Sequence, residues 1–210
     1  NRKMINDKKI PEIRFSGFTD AWEQCEFSEL AEIRRGLTYK PSDVQSDGVR
    51  VLRSSNINED IFVLKTDDVF VKSEAANIEE IKNGDILITS ANGSSRLVGK
   101  HAIIDGINEK TVHGGFMLVA REKNPQFTNA LMSSGWYSKF IDVFVSGGNG
   151  AIGNLSKTDL EKQKILVPIK VEQEKIGSFF KELDTLITLH QRELNSLKNM
   201  KKSLLQQMFI

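Results

Sequence analysis

The sequence predicts an α+β fold, with a mixed globular domain over residues 1–170 and a long coiled-coil helix over 171–210. Three observations support this. Residues 10–169 read as short β-branched runs separated by Gly, Asn, Ser and Asp, the texture of many short strands joined by turns. Helix-forming stretches interrupt those runs, which makes the class mixed and rich in non-local strand pairing. From residue 172 to 208 the texture changes: there is no Pro, one Gly (Gly177), and an apolar residue at alternating steps of four and three.

Residues 1–9 are polar and lack the apolar stretch of a signal peptide, and residues 1–10 are expected to be flexible. A helix is predicted over 27–33, after a short polar lead. Strands are predicted over 49–52, 61–64 and 68–71, each a β-branched run of strand length. A helix is predicted over 74–82. Strands follow at 85–89, 101–104 and 116–120. Helix occupies part of 124–144 and then 157–164, and a last strand covers 165–169.

The C-terminal seam runs Ile176, Phe180, Leu183, Ile187, His190, Leu194, Leu197, Lys201, Leu204 and Met208. That is an a/d heptad pattern, widened by Phe179, Leu186 and Met200. Pro168 upstream and Glu172 and Glu174 in the first turn mark the helix start. A helix of some 36 residues spans roughly 54 Å. One reading is a long core helix. The sharper one is a coiled coil with another helix, in which His190 and Lys201 interrupt the seam and set register.

The 210 residues suffice for one mid-sized domain plus an appendage. With 39% hydrophobic and 27% charged residues the composition is globular, and no apolar run approaches the roughly 18 residues of a membrane span. No membrane partner is expected. A single cysteine, Cys25, excludes a disulfide framework and suits a reducing cytosol, so a cytoplasmic location is expected. A net charge of +1 excludes a globally basic nucleic-acid coat but not a local basic face. Arg34, Arg35, Lys40, Arg50 and Arg53 precede an acidic stretch at 59–85, and Arg96 and Lys100 follow it.

Several segments carry a family resemblance. Residues 11–24 (PEIRFSGFTDAWEQ), 84–89 (GDILIT) with a Gly/Ser loop and then Gly99-Lys100, and 150–156 (GAIGNLS) are three of them. The fourth is 165–168 (ILVP) with 172–176 (EQEKI), followed by Phe180, Leu183, Asp184, Ile187 and His190-Gln191-Arg192. In this order and spacing the chain resembles the DNA-specificity (S) subunit of type I restriction-modification systems. The resemblance implies a target recognition domain that reads double-stranded DNA without catalysis of its own. It implies methyltransferase (M) and restriction (R) subunits as partners. A full subunit of that family has two such units with antiparallel helices as spacer, whereas this chain has one. It is therefore expected to be a half subunit or one half of a longer protein. Two copies pairing through the seam as a homodimer would mimic the tandem arrangement and read a palindromic, two-part site.

Base reading needs paired donors and acceptors on protruding loops, and phosphate contacts need Lys, Arg, hydroxyls and free N–H groups. Four loops qualify: 34–40 (Arg34, Arg35, Thr38, Tyr39, Lys40), 53–56 (Arg53, Ser54, Asn56), 90–96 (Asn92, Ser94, Ser95, Arg96, with Lys100 just beyond) and 146–150 (Asn149). Each alone reads more readily as a surface turn. The resemblance favours reading them as a set. Asn56 is a candidate for a bidentate pair with adenine, and the Arg residues for guanine.

Competing motifs are weak. Gly148-x-Gly150-x-x-Gly153 matches a dinucleotide fingerprint, but no helix opens at the glycines. No Walker-type lysine loop or methyltransferase-type Asn/Asp-Pro-Pro-aromatic motif occurs. His101, His113 and His190 share no ligand spacing, Asp67-Asp68 sits in an acidic surface stretch, and Cys25 has no nearby His. No cofactor or metal is expected. Trp22, Trp136 and Tyr137 read as packing aromatics. The alternative to DNA recognition is a coiled-coil dimerising interaction scaffold, which the near-neutral charge mildly favours. That scaffold would need an exposed apolar anchor, where these loops offer Arg, Asn, Ser and Gly.

Overall fold

The computed structural model describes residues 9–145 and 153–209. The chain enters through β1 (Glu23–Glu26), a single helical turn α1 (Phe27–Leu30) and β2 (Glu32–Arg35). β3 (Val44–Gln45), β4 (Val49–Leu52), β5 (Ile57–Asn58), β6 (Ile61–Phe62) and β7 (Val69–Val71) follow. Next come β8 (Ile86–Thr89), β9 (His101–Ile103), β10 (Thr111–His113) and β11 (Met117–Arg121). The remainder is α2 (Pro125–Met132), α3 (Gly135–Phe144), α4 (Lys157–Glu161), β12 (Lys164–Val167) and α5 (Lys170–Met208). Mixed strands and helices followed by one long helix make the class α+β.

The central antiparallel sheet has the order β2-β11-β8-β9, with Leu118 opposite Ile88 and Val119 opposite Leu87. In β8, Ile86 and Ile88 face a core shared with Phe27, Tyr137, Phe140 and Leu160, while Leu87 faces a second core with Leu52, Ile57 and Val119. Alternation sends successive side chains to opposite faces, so a strand covered on both sides reads as an unbroken apolar run. A second sheet, β10-β4-β7-β3, contains one parallel pair, β10 with β4. The ribbon β1–β12 joins the two ends of the globular part, and β5–β6 is a separate hairpin. Glu59 and Asp60 form that hairpin's loop with φ of 48° and 64°. Two left-handed residues give the turn twist that a two-residue hairpin requires.

Strand ends shift by one or two residues in several places, and three predicted elements differ more substantially. The helix over 27–33 stops after Leu30, and Glu32–Arg35 is a strand paired with β11, because Ile33 is drawn into the core opposite Ala120. The helix over 74–82 is only a 3-10 turn, Ser73–Ala75. The rest runs irregularly between the sheets, with Ile81 buried and its N–H donating to Thr111 O. Lys164, predicted as the end of a helix, opens β12 instead, and α4 ends at Glu161.

α5 is 39 residues long, so about 58 Å at 1.5 Å per residue. Its first turns are docked. Glu172 is fully buried, and its two carboxylate oxygens accept from Arg14 Nε and Nη2, each at 2.7 Å. Gly177 sits where a Cβ would lie 2.8 Å from Phe127 N at the start of α2, so glycine permits this close approach. Phe179 meets Phe15 edge to face with centroids 5.8 Å apart. Residues 189–209 are all exposed. The C-terminal half of α5 therefore does not pack onto the globular part.

Candidate nucleic-acid interface

Three of the four predicted loops converge on one tight turn, His113-Gly114-Gly115-Phe116, between β10 and β11. Leu37 N–H donates to His113 O at 2.7 Å, and Gly114 N–H donates to Leu52 O at 2.9 Å. These bonds hold the 34–40 and 53–56 loops on either side of the turn. A Cβ on Gly36 would lie 2.0 Å from Gly114 O, so two backbones meet where only glycine fits. The 90–96 loop is anchored next to it. Phe116 O accepts from Ser90 N–H at 2.9 Å and from Ala91 N–H at 3.0 Å, and Asn92 Nδ2 donates to Ser54 Oγ at 2.9 Å. The stem of that loop closes through Gly99 N–H to Thr89 O, and Tyr137 Oη–H donates to Gly99 O at 2.9 Å.

The side chains divide by availability. Arg35, Thr38, Lys40, Ser94, Ser95 and Arg96 are exposed, and Tyr39, Arg53, Ser54, Asn92 and Lys100 are half-buried. Arg34 is committed: its guanidinium pairs with Glu79 at 3.0 Å and its side chain is largely covered. Arg121 holds Asp85 bidentately and also pairs with Glu79. The Glu79 carboxyl is held below its usual range, first by the hydrogen bond from Arg121. Arg35, Lys40, Arg53 and Arg96 take part in no ion pair among the described residues. Among the described residues Arg53 Nε, Ser55 Oγ and Thr89 Oγ1 are buried without a hydrogen-bond partner. Native interiors leave few such groups.

Two expectations change here. Asn56 is fully buried. Its Oδ1 accepts from Arg53 N–H at 2.8 Å, and its Nδ2 donates to Val63 O at 3.0 Å and to Asp68 Oδ1 at 2.7 Å. A side chain with its donors and acceptor spent inside the fold cannot pair with adenine. Arg34 is largely covered and its Nη2 pairs with Glu79, while Nη1 is buried without a partner among the described residues. Asn149 and the 146–150 loop lie outside the described residues. Leu155 N–H donates to Ser90 O at 2.7 Å, so the chain re-enters beside the same cluster. The sequence does not point to this turn: its one signal is the Gly114-Gly115 pair ahead of an apolar run, and Phe116, which reads as the first strand residue, lies one position before the strand.

His113 lies under this turn, fully buried, with Nε2 3.3 Å from Arg34 O. Burial pushes its pKa down to about 4, with the hydrogen bond to Arg34 O opposing the shift, so the ring is neutral at pH 7. Burial lowers the pKa of His101 as well. Among the described residues no cluster of three His, Cys, Asp or Glu has the geometry to hold a metal ion. Among the described residues no helix is long and apolar enough to cross a membrane.

A family model described as the type I restriction modification DNA specificity domain matches residues 19–199. The chain belongs to that family. Among its relatives, this specificity domain is 28% identical over 191 residues to the type I restriction enzyme StySPI specificity subunit of Salmonella potsdam, covering 87% of this chain and 38% of the relative. It is also 28% identical over 194 residues to a putative type I restriction enzyme MjaX specificity subunit of Methanocaldococcus jannaschii, covering 90% and 45%. The specificity domain thus spans less than half the length of the curated relatives it matches. Its fold matches the HsdS subunit of Thermoanaerobacter tengcongensis with a TM-score of 0.57 at 14% identity, covering 85% of this chain and 41% of that one. A chain from a structural study of the assembly and conformational transition of the type I R-M system gives 0.62 at 15%, covering 92% and 46%.

Proposed function

We propose that this specificity domain reads a short stretch of double-stranded DNA for a type I restriction-modification assembly. Residues 1–170 form the reading head and 171–210 the rod. The observation that carries the reading is the convergence of loops 36–40, 53–56 and 90–96 on the turn at 113–116. It gathers Arg35, Lys40, Arg53 and Arg96, none of them in an ion pair among the described residues, with Thr38, Ser54, Asn92, Ser94 and Ser95. Lys100, at the loop stem, is the proposed phosphate contact. Arg96 and Asn92 are the proposed base readers, because guanidinium and carboxamide groups offer paired contacts to base edges.

The head performs no chemistry in this reading. It holds the target for a methyltransferase subunit and, in the complete assembly, a restriction subunit. The α5 stripe is the means of pairing two such heads. Leu183, Ile187, Leu194, Leu197 and Leu204 are between 37% and 65% exposed, an apolar seam that a second α5 would cover. Ile176 and Phe180 extend the seam toward the head, and His190 lies on it, 3.6 Å from Glu193. A two-fold pair would face two copies of one half-site in inverted orientation.

Arg96→Ala in the full chain tests the reader. The expected result is a changed base preference at one position, at roughly 1–3 kcal/mol per lost bidentate pair. Weakening by the same factor on every sequence would make Arg96 a phosphate contact instead. A salt titration of binding, alone and with the methyltransferase subunit, separates the head's share of backbone contacts from its partner's through the slope of log K against log salt.

A further inference from the structure

We propose that Phe116 reads the 5-methyl group of a thymine at the centre of the recognition face. The inference rests on the DNA-reading function and adds to it an apolar contact that the polar loops cannot supply. Phe116 is 74% exposed, whereas Phe27, Phe127 and Phe140 are each at most 3% exposed. Within the loops 36–40, 53–56, 90–96 and 113–116 it is the one large apolar side chain left exposed.

Its mounting is rigid. Met117 N–H closes the turn onto Gly114 O at 2.8 Å, and Phe116 O is fixed by the N–H groups of both Ser90 and Ala91. Gly115 packs so that a Cβ there would lie 3.2 Å from Thr38 Oγ1, and the next residue, Met117, is only 1% exposed. The fold therefore holds the backbone of Phe116 from three sides and still directs its ring to solvent. An aromatic ring on a fixed backbone loses little freedom on binding. Around it lie groups suited to base edges: Thr38, Ser54, Asn92 and Arg53. In the major groove the one apolar group that a base edge presents is the thymine methyl. A ring set among edge-reading donors and acceptors is matched to that group.

The test uses the full chain and a randomised duplex library. After selection, each thymine of the recovered site is replaced by deoxyuridine, which removes the methyl and keeps the pairing. At one thymine per half-site the wild type is expected to lose about four-fold in affinity, the equivalent of one buried methyl at about 0.8 kcal/mol. Phe116→Ala is expected to bind the thymine and uracil duplexes equally, and Phe116→Leu to keep part of the preference. Both variants should fold, since the ring is exposed, and circular dichroism checks this. The proposal is overturned if uracil is tolerated everywhere by the wild type, or if Phe116→Ala keeps the same thymine preference. It is also overturned if Phe116→Ala weakens all sequences equally, as a stacking wedge would. A wild type that selects no sequence at all would overturn the DNA-reading function itself, a distinct result.

Discussion

Asn56→Ala separates a structural role from a reading role at one position. The Asn56 side chain makes three hydrogen bonds inside the fold and none to solvent. Removing it leaves Arg53 N–H and Asp68 Oδ1 without that partner, and one bond to Val63 O is lost. Each buried group left unpaired costs about 1–3 kcal/mol, and such losses within one network do not simply add. Asp68 keeps part of its support, because its Oδ2 still accepts from Arg50 Nη1 at 2.6 Å and from Lys65 N–H at 3.0 Å. A net loss of about 3 kcal/mol follows, or on the order of 10 °C in Tm for a chain of this size. Asn56→Asp should cost more at neutral pH, since it sets a second carboxylate against Asp68. Urea unfolding followed by circular dichroism measures both. Below the lowered Tm, the folded Asn56→Ala fraction should select the same DNA site as the wild type. An unchanged Tm together with an altered base preference would refute the reasoning and return Asn56 to the recognition surface.

Three further outcomes follow from the same geometry. Gly36→Ala forces a methyl to within 2.0 Å of Gly114 O, so the 34–40 loop must separate from the turn. A loss of about 1–3 kcal/mol by thermal melting and of site selection is expected, and a wild-type melt would contradict the close approach. His113 is neutral in the fold with a pKa of about 4 against 6.5 unfolded, so protons favour the unfolded chain. Its contribution is complete above pH 6.5 and falls away as pH drops towards 4, by about 2 kcal/mol at pH 5. Urea unfolding at pH 7.5 and pH 5 should show this loss, and His113→Asn should remove the share due to His113, leaving the part due to His101, whose pKa burial also lowers. Equal pH dependence in the variant would show that His113 is not the group responsible. Leu194→Asp with Leu197→Asp should abolish self-association while leaving the head folded, and an unchanged sedimentation profile would count against pairing through α5.

What the sequence made legible depended on the range of the interaction. α5 was readable because its pattern repeats within the helix, from Ile176 to Met208, without reference to the rest of the chain. β4, β8, β9 and β11 were readable because each is a β-branched or apolar run bounded by turn residues. β2 was not. No Gly or Pro separates α1 from it, and Glu32–Arg35 is a strand only because β11 lies alongside. β10 is three residues long and pairs in parallel with β4, a partner some sixty positions away that no local signal announces.

The candidate face was legible in part for the same reason. Gly-, Asn- and Ser-rich loops showed where the chain turns, but their convergence rests on backbone bonds such as Leu37 N–H to His113 O, between distant segments. The Ser-Ser-Asn run at 54–56 resembled an exposed polar loop. Its burial depends on Asp68 and Val63, and it became visible only once β6 and β7 were placed. In the sequence Arg34 reads as free as Arg96, because its partner Glu79 lies some forty-five positions away in a segment that reads as helix.

The central claim is that two identical reading heads, joined by their rods, recognise DNA sequence. Selection of randomised duplexes by the full chain, followed by sequencing, tests it most directly. The expected result is one short motif present twice, inverted, at a fixed spacing. Recovery of unselected sequence, or of a single unpaired motif, would contradict it.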